Sequence, residues 1–344
     1  MLISAILVVG PGDPGSHWDS CGRAPGIETV AGNSIVCLEL LGRSVLDRAI
    51  QTLQDTGIKL ITVVANDAFS HLVTRVARQG VRVNLVAPSI DPWSAAECTA
   101  RVHVEQGVEM VLLNRLSAYA EIDLVDLIRF HRERKLGLTS VTDGQAALPL
   151  FLVDAQRVAR TRGAGLNGLM NAGDVPGTGS YSLSGYVNRL QDFHDLRRLI
   201  VDALLSHCAI RPSGREVKPG VWFGDSTQVH RDARVVAPAY VGSGAKVRAG
   251  ALITRLSTLE RGCDVSEGTV VEGASLLAHT YLGRGLNVSN AVVDGSKLIP
   301  LDRDIIVEIQ DGRLLRRIQP SDAPHPSGAP NASLAERLLA TAWS

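Results

Sequence analysis

The chain has 344 residues, with Lys and Arg totalling 35 and Asp and Glu totalling 35, so its formal charge is zero. That balance gives no global basic field to gather nucleic acid or an anionic membrane, and the length calls for two domains instead of one small core. The five cysteines, Cys21, Cys37, Cys98, Cys208 and Cys263, are odd in number and contain no Cys-x-x-Cys pair, which argues against a disulfide framework or zinc knuckle and for a reducing, cytoplasmic setting.

Met1 to Val9 is apolar but short and lacks a basic leader, so it reads as a buried first strand and not a signal peptide; no stretch is long enough to span a bilayer. A Gly/Pro-rich loop follows, Gly10-Pro11-Gly12-Asp13-Pro14-Gly15. Ser44 to Thr56 reads as a helix with Val45, Leu46, Ile50 and Leu53 on one face. Leu60 to Val64 is the next strand, followed by a helix through Ala77, a strand at Val81 to Val86, a helix from Trp93 to Gln106, a strand at Glu109 to Leu113 and a helix at Leu124 to Arg134. Strands and helices alternating in this way predict βαβ units and a mostly parallel sheet, with a ligand crevice at the carboxyl ends of its strands. Leu138 to Val141 and Leu148 to Val153 are short β runs that extend the sheet. Residues 161 to 182 are rich in Gly, Asn, Ser and Thr and read as a loop. Leu190 to His207 has a helical apolar stripe of Phe193, Leu196, Leu199, Ile200 and Leu204, and Arg211 to Gly214 is a linker.

From Thr227 an aliphatic residue recurs every six positions: Val229, Val235, Val241, Val247, Ile253, Leu259, Val265, Val271 and Leu277. A small residue stands two before each, from Thr227 and Ala233 through Cys263, Thr269 and Ser275. A helix face repeats near 3.6 and a strand face at 2, so a period of six with two residue types in phase needs a parallel β-helix, three hexads closing each triangular coil. The period slips after Leu277, and Val288 and Val292-Val293 continue in a new register. Asp304 to Glu308 and Arg313 to Ile318 flank Asp311-Gly312, a dipeptide suited to a hairpin turn. Pro320 to Asn331 reads as a flexible tether. In the tail beyond it, Leu334, Leu338, Leu339 and Trp343 would suit a short helix that docks on a partner protein. The expected domains are 1–210 (α/β), 219–298 (β-helix), 299–319 (hairpin) and 320–344 (tether and tail).

An α/β domain with a Gly-rich first loop, joined through a helix to a hexapeptide β-helix, resembles the sugar-1-phosphate nucleotidyltransferases, also called nucleotide-sugar pyrophosphorylases. Leu40-Leu41-Gly42-Arg43-Ser44-Val45-Leu46-Asp47, then Gly57-Ile58 and Ile61-Thr62-Val63-Val64, is similar to that family's L-x-G-K-P-L-L-E … G-I … I-x-V-V opening. Leu124 to His131 is similar to its D-L … F-H helix, and Gly185-Tyr186 through Leu196 to its G-Y-W-x-D-x-G-T-P-x-D-L segment. Thr280 to Leu286 resembles the coil-closing segment of the mannose-1-phosphate guanylyltransferase branch. The resemblance implies a Rossmann-like nucleotidyltransferase domain on a left-handed parallel β-helix, and a role in supplying nucleotide sugars for polysaccharide.

Such enzymes attack the α-phosphate of a nucleoside triphosphate with a sugar phosphate, which demands cations around that phosphate. The family supplies an Arg, a Lys and two Asp ligands for Mg²⁺; the matching positions here are Pro14, Ile35, Leu116 or Ser117, and Arg189. The resemblance therefore implies a degenerate, non-catalytic member that binds a nucleotide or nucleotide sugar, as a homo-oligomer or with an active paralogue through the β-helix. Gly10, Gly12 and Asp13 in the first loop, and Ser94 at the start of its helix, are the nucleotide-binding candidates, although Ser94 also suits a plain N-cap and the loop a plain turn. An active enzyme using Mg²⁺ on displaced carboxylates such as Asp13, Asp123 or Asp143 is one alternative. A hexapeptide-repeat acyltransferase with His230 or His279 as general base is another.

Overall fold

The computed structural model of the chain describes residues 2–9, 34–66, 80–86, 92–160, 177–303 and 305–319. The first unit is built from β1 (Ile3–Val9), β2 (Glu39–Leu40), β3 (Arg43–Ser44), α1 (Val45–Asp55), β4 (Leu60–Asn66), β5 (Arg82–Val86), α2 (Pro92–Glu105), β6 (Met110–Arg115), β7 (Tyr119–Ala120), α3 (Leu124–Glu133), β8 (Leu138–Thr142), β9 (Ala147–Asp154), α4 (Ala155–Arg160), β10 (Thr178–Ser182), β11 (Val187–Asn188) and α5 (Phe193–Leu204). Seven strands form one sheet in the order β10-β8-β9-β6-β1-β4-β5. Only β9 runs against its neighbours. β1 is apolar at almost every position because both of its faces are covered: Ala5, Leu7 and Val9 pack with α1, α3 and α5, whereas Ile6 and Val8 pack with α2 and α4.

The helices start where their residues can cap them. Ser44 Oγ accepts the Asp47 N–H at 3.0 Å and the Asp47 carboxylate accepts the Ser44 N–H at 3.2 Å, a reciprocal capping box that opens α1. Asp123 and Asp192 cap α3 and α5 in the simpler way, each accepting the N–H three residues on. Ser94 is not a cap: α2 begins at Pro92, and Ser94 lies exposed within its first turn. Proline has no N–H to lose there and its fixed φ suits the first helical position. α5 begins at Phe193, not Leu190, because Leu190 is turned to φ 48° and its N–H is held by the Asn188 side chain. Thr178–Ser182, expected as loop, is an edge strand parallel to β8. The helix expected before Ala77 lies outside the described residues, as does the 320–344 tail.

Beyond the linker the chain enters a β-helix-like region of three mainly parallel sheets. In the first, Phe223, Val241, Leu259, Leu276 and Val293 lie in register. Val229, Val247, Val265 and Leu282 do so in the second, and Val235, Ile253, Val271 and Val288 in the third. These side chains share one interior with Ala239, Ala245, Ala251 and Cys263, all fully or almost fully buried. The phase shift comes earlier than the sequence suggests. Leu259 pairs with Leu276, so one residue is missing from the turn at Gly273, and Leu276 takes the inward position with Ala274 as its small partner. Leu277 instead joins the α/β core, together with Tyr240, Val292 and Ile299.

The expected hairpin around Asp311-Gly312 does not form. Val307–Glu308 pairs with Lys297–Pro300, and Leu315–Arg317 pairs with Thr280–Leu282, so the two segments close different sheets of the coil. Among the described residues no helix is long and apolar enough to cross a membrane.

Candidate ligand-binding site

The strand order reverses between β1 and β6, and in open α/β sheets the crevice beside such a reversal is the place for a ligand. A pocket of about 670 Å³ opens there, alongside the carboxyl end of β6. Leu7, Leu112 and Leu150 of three adjacent strands form its floor; α1 supplies one wall through Arg48, Ala49 and Thr52, and the segment from Tyr119 to Leu124 supplies another. Arg43 and Arg115 stand at its polar side and Ala209-Ile210 close it from the linker end. Its volume and apolar floor suit a small organic ligand.

The acidic groups in the pocket are already engaged. The Tyr119 hydroxyl donates to Glu121 Oε1 at 3.1 Å, and the Ala209 N–H donates to the same oxygen. Burial and the neighbouring Glu121 hold the Tyr119 hydroxyl well above its ordinary pKa, so it stays a donor. Asp123 accepts the Asp126 N–H at 3.0 Å as the α3 cap. The Tyr181 hydroxyl donates to Asp126 at 2.6 Å, which pushes Tyr181 up to about 12.

The basic side is different. Arg48 Nη2 donates to the Leu40 carbonyl at 3.0 Å, while its Nε is buried with no hydrogen-bond partner among the described residues. Burial lowers the Arg48 pKa, Arg43 adds to that, and Tyr119 and Glu260 oppose it. A buried guanidinium N–H without an acceptor is costly. The arrangement can hold an anionic group at Arg43 and Arg48 and an apolar body over the leucine floor.

The positions that the resemblance would tie to catalysis have structural roles. Ile35 and Leu116 are buried in the α/β core, and the Leu116 N–H donates to Val8 O at 2.9 Å, continuing the sheet. Arg189 donates to Asp143 at 2.5 Å, and the Gln145 and Ala146 N–H groups bind the same carboxylate. Asp143 is therefore tied to a turn and an arginine, and Asp123 to a helix start. Leu116 and Arg189 offer no side-chain oxygen to Mg²⁺, and Asp143 and Asp123 already accept hydrogen bonds. No group of three His, Cys, Asp or Glu converges among the described residues.

Gly10, Gly12, Asp13 and Pro14 lie outside the described residues. Ser94 belongs to α2, on the other side of the sheet from the pocket. His230 and His279 occupy different corners of the coil: the His230 N–H donates to Val247 O, and the His279 N–H to Arg261 O. His230 Nδ1 is turned onto the Asp232 N–H at 3.2 Å. Burial lowers the His279 pKa, as do Arg261 and Arg317. The structure does not bring the two histidines together. Sequence reading missed Arg48, Tyr119 and Glu121; the one available signal was Arg43, at the lysine of the L-x-G-K-P stretch. No family model matches the chain, and no curated protein matches it.

Proposed function

We propose that this chain is a non-catalytic nucleotidyltransferase-like protein of nucleotide-sugar supply, binding a nucleotide or nucleotide sugar as a regulator or scaffold. Its α/β unit is a degenerate nucleotidyltransferase domain and its C-terminal unit a left-handed parallel β-helix. What supports the reading is that Ile35 and Leu116 are core residues and Arg189 is paired with Asp143, at the positions where the resemblance calls for charge and metal ligands, beside a pocket lined by Arg43, Arg48 and Arg115. Loss of the charges that would neutralise a triphosphate removes most of the electrostatic stabilisation phosphoryl transfer needs, whereas binding needs only the pocket. The β-helix offers coil faces for a second copy or an active paralogue.

The test is thermal-shift titration of the full chain with GDP-mannose and other nucleotide sugars. A concentration-dependent rise in Tm is expected, and it should be lost when Arg43 and Arg48 are both replaced by Gln. No shift with any nucleotide sugar overturns the binding role.

A further inference from the structure

Leu40 to Arg43 is a two-residue hairpin turn between β2 and β3, with Leu41 at φ 55° and Gly42 at φ 86°. Both central residues in the left-handed region is the geometry that joins tightly twisted strands, but leucine enters it only when its surroundings hold it there. Here four backbone groups of the turn are held by other parts of the chain. The Leu41 N–H donates to Glu260 Oε1 at 2.7 Å and the Gly42 N–H to Glu260 Oε2 at 3.0 Å. The Leu41 carbonyl accepts the Ser213 N–H of the linker at 2.9 Å. The Leu40 carbonyl accepts Arg48 Nη2. Thus the β-helix, the linker and the pocket wall all grip one turn, and the next residue along is Arg43, itself in the pocket lining.

We propose that this turn is a relay through which occupancy of the pocket is communicated to the docking of the β-helix. It rests on the ligand binding proposed above. A ligand anion drawn to Arg48 restrains the guanidinium that holds the Leu40 carbonyl, which favours the conformation in which Leu41 and Gly42 reach Glu260. Linkage makes the effect reciprocal: whatever loosens the Glu260 clamp must weaken the ligand by the same factor, although Glu260 does not line the pocket.

Amide hydrogen exchange on the full chain, with and without saturating GDP-mannose, tests it at the Leu41 and Gly42 amides. Exchange there should slow by about 5-fold or more with ligand, and Glu260→Gln should weaken GDP-mannose in calorimetry by about the same factor. Unchanged exchange at these amides, or unchanged affinity in a folded E260Q protein, overturns the relay while leaving the binding role intact. If E260Q does not fold, exchange in the wild-type protein decides alone. If GDP-mannose does not bind at all, the binding role fails and the relay with it.

Discussion

The Tyr240 hydroxyl lies so close over Gly42 that a Cβ on that glycine would sit 2.5 Å from it and 2.8 Å from Ser213 Cβ. Tyr240 belongs to the β-helix-like region and is fully buried in the α/β core, so this contact is one of those that join the two units. Gly42→Ala combines overpacking with a positive φ, and should cost more than about 2 kcal/mol in urea unfolding. The Tyr240 hydroxyl is buried without a hydrogen-bond partner among the described residues. Tyr240→Phe should therefore be neutral or stabilise by up to about 1 kcal/mol, and should rescue only part of the Gly42→Ala loss, because Ser213 and the φ strain remain. A neutral Gly42→Ala would mean the junction is looser than this packing requires.

Burial pushes the Glu260 carboxyl up to about 8, against the Leu41 and Gly42 N–H donors, with Glu39 raising it further and Arg48 lowering it. In the unfolded chain a glutamate titrates near 4.3, so between these values the folded protein keeps a proton that the unfolded chain has released. The stability this contributes is complete below the unfolded pKa and falls as pH rises towards the folded one, by about 2 kcal/mol between pH 6.5 and 8. Burial lowers His103 and His279, so their linkage has the opposite sign and does not produce this decline. Denaturant unfolding should show the decline in wild type and lose it in Glu260→Gln, where the lowered histidines leave stability level or slightly rising with pH. A flat wild-type profile would contradict the buried, protonated Glu260.

Adjacent leucines should fail differently. Leu276→Ala and Leu277→Ala should each cost about 2 to 5 kcal/mol. The first empties the coil interior and should raise hydrogen exchange within the coil strands; the second should raise it at Leu41, Gly42 and Tyr240. Indistinguishable exchange maps would return the phase shift to a point beyond Leu277.

The Leu276-Leu277 pair also shows why part of the fold was hidden in the sequence. One residue drops out at the Gly273 turn, but the next residue is again leucine, so the hexad count runs on undisturbed. Regular stretches were legible because local chemistry and burial agree: α1 has its apolar stripe and its Ser44–Asp47 box, and the coil has its small residues behind each aliphatic. Asp311-Gly312 misled because turn propensity is local, whereas Val307–Glu308 and Leu315–Arg317 find partners in different sheets. Thr178–Ser182 has little apolar content and is a strand because β8 offers it an edge. The place of the pocket, at the carboxyl ends of the strands, was legible, but its lining was not, because Arg48, Tyr119 and Ala209 converge only after folding.

Arg189 stands where the resemblance would place a metal carboxylate. Arg189→Asp would set that carboxylate against Asp143, which burial raises but which the Ala146 and Gln145 N–H groups and Arg189 hold below its usual range. We expect a loss of about 1 to 3 kcal/mol and no Mg²⁺-dependent turnover, since Ile35 and Leu116 remain apolar. Mg²⁺-dependent activity in this variant would contradict the non-catalytic reading by showing that one carboxylate completes the site.

The most direct measurement is pyrophosphate release by the purified wild-type chain, with Mg²⁺ and a panel of nucleoside triphosphates paired with sugar 1-phosphates. A non-catalytic binding protein gives no release with any pair, while nucleotide sugars still raise its Tm. Turnover of a single pair would contradict it.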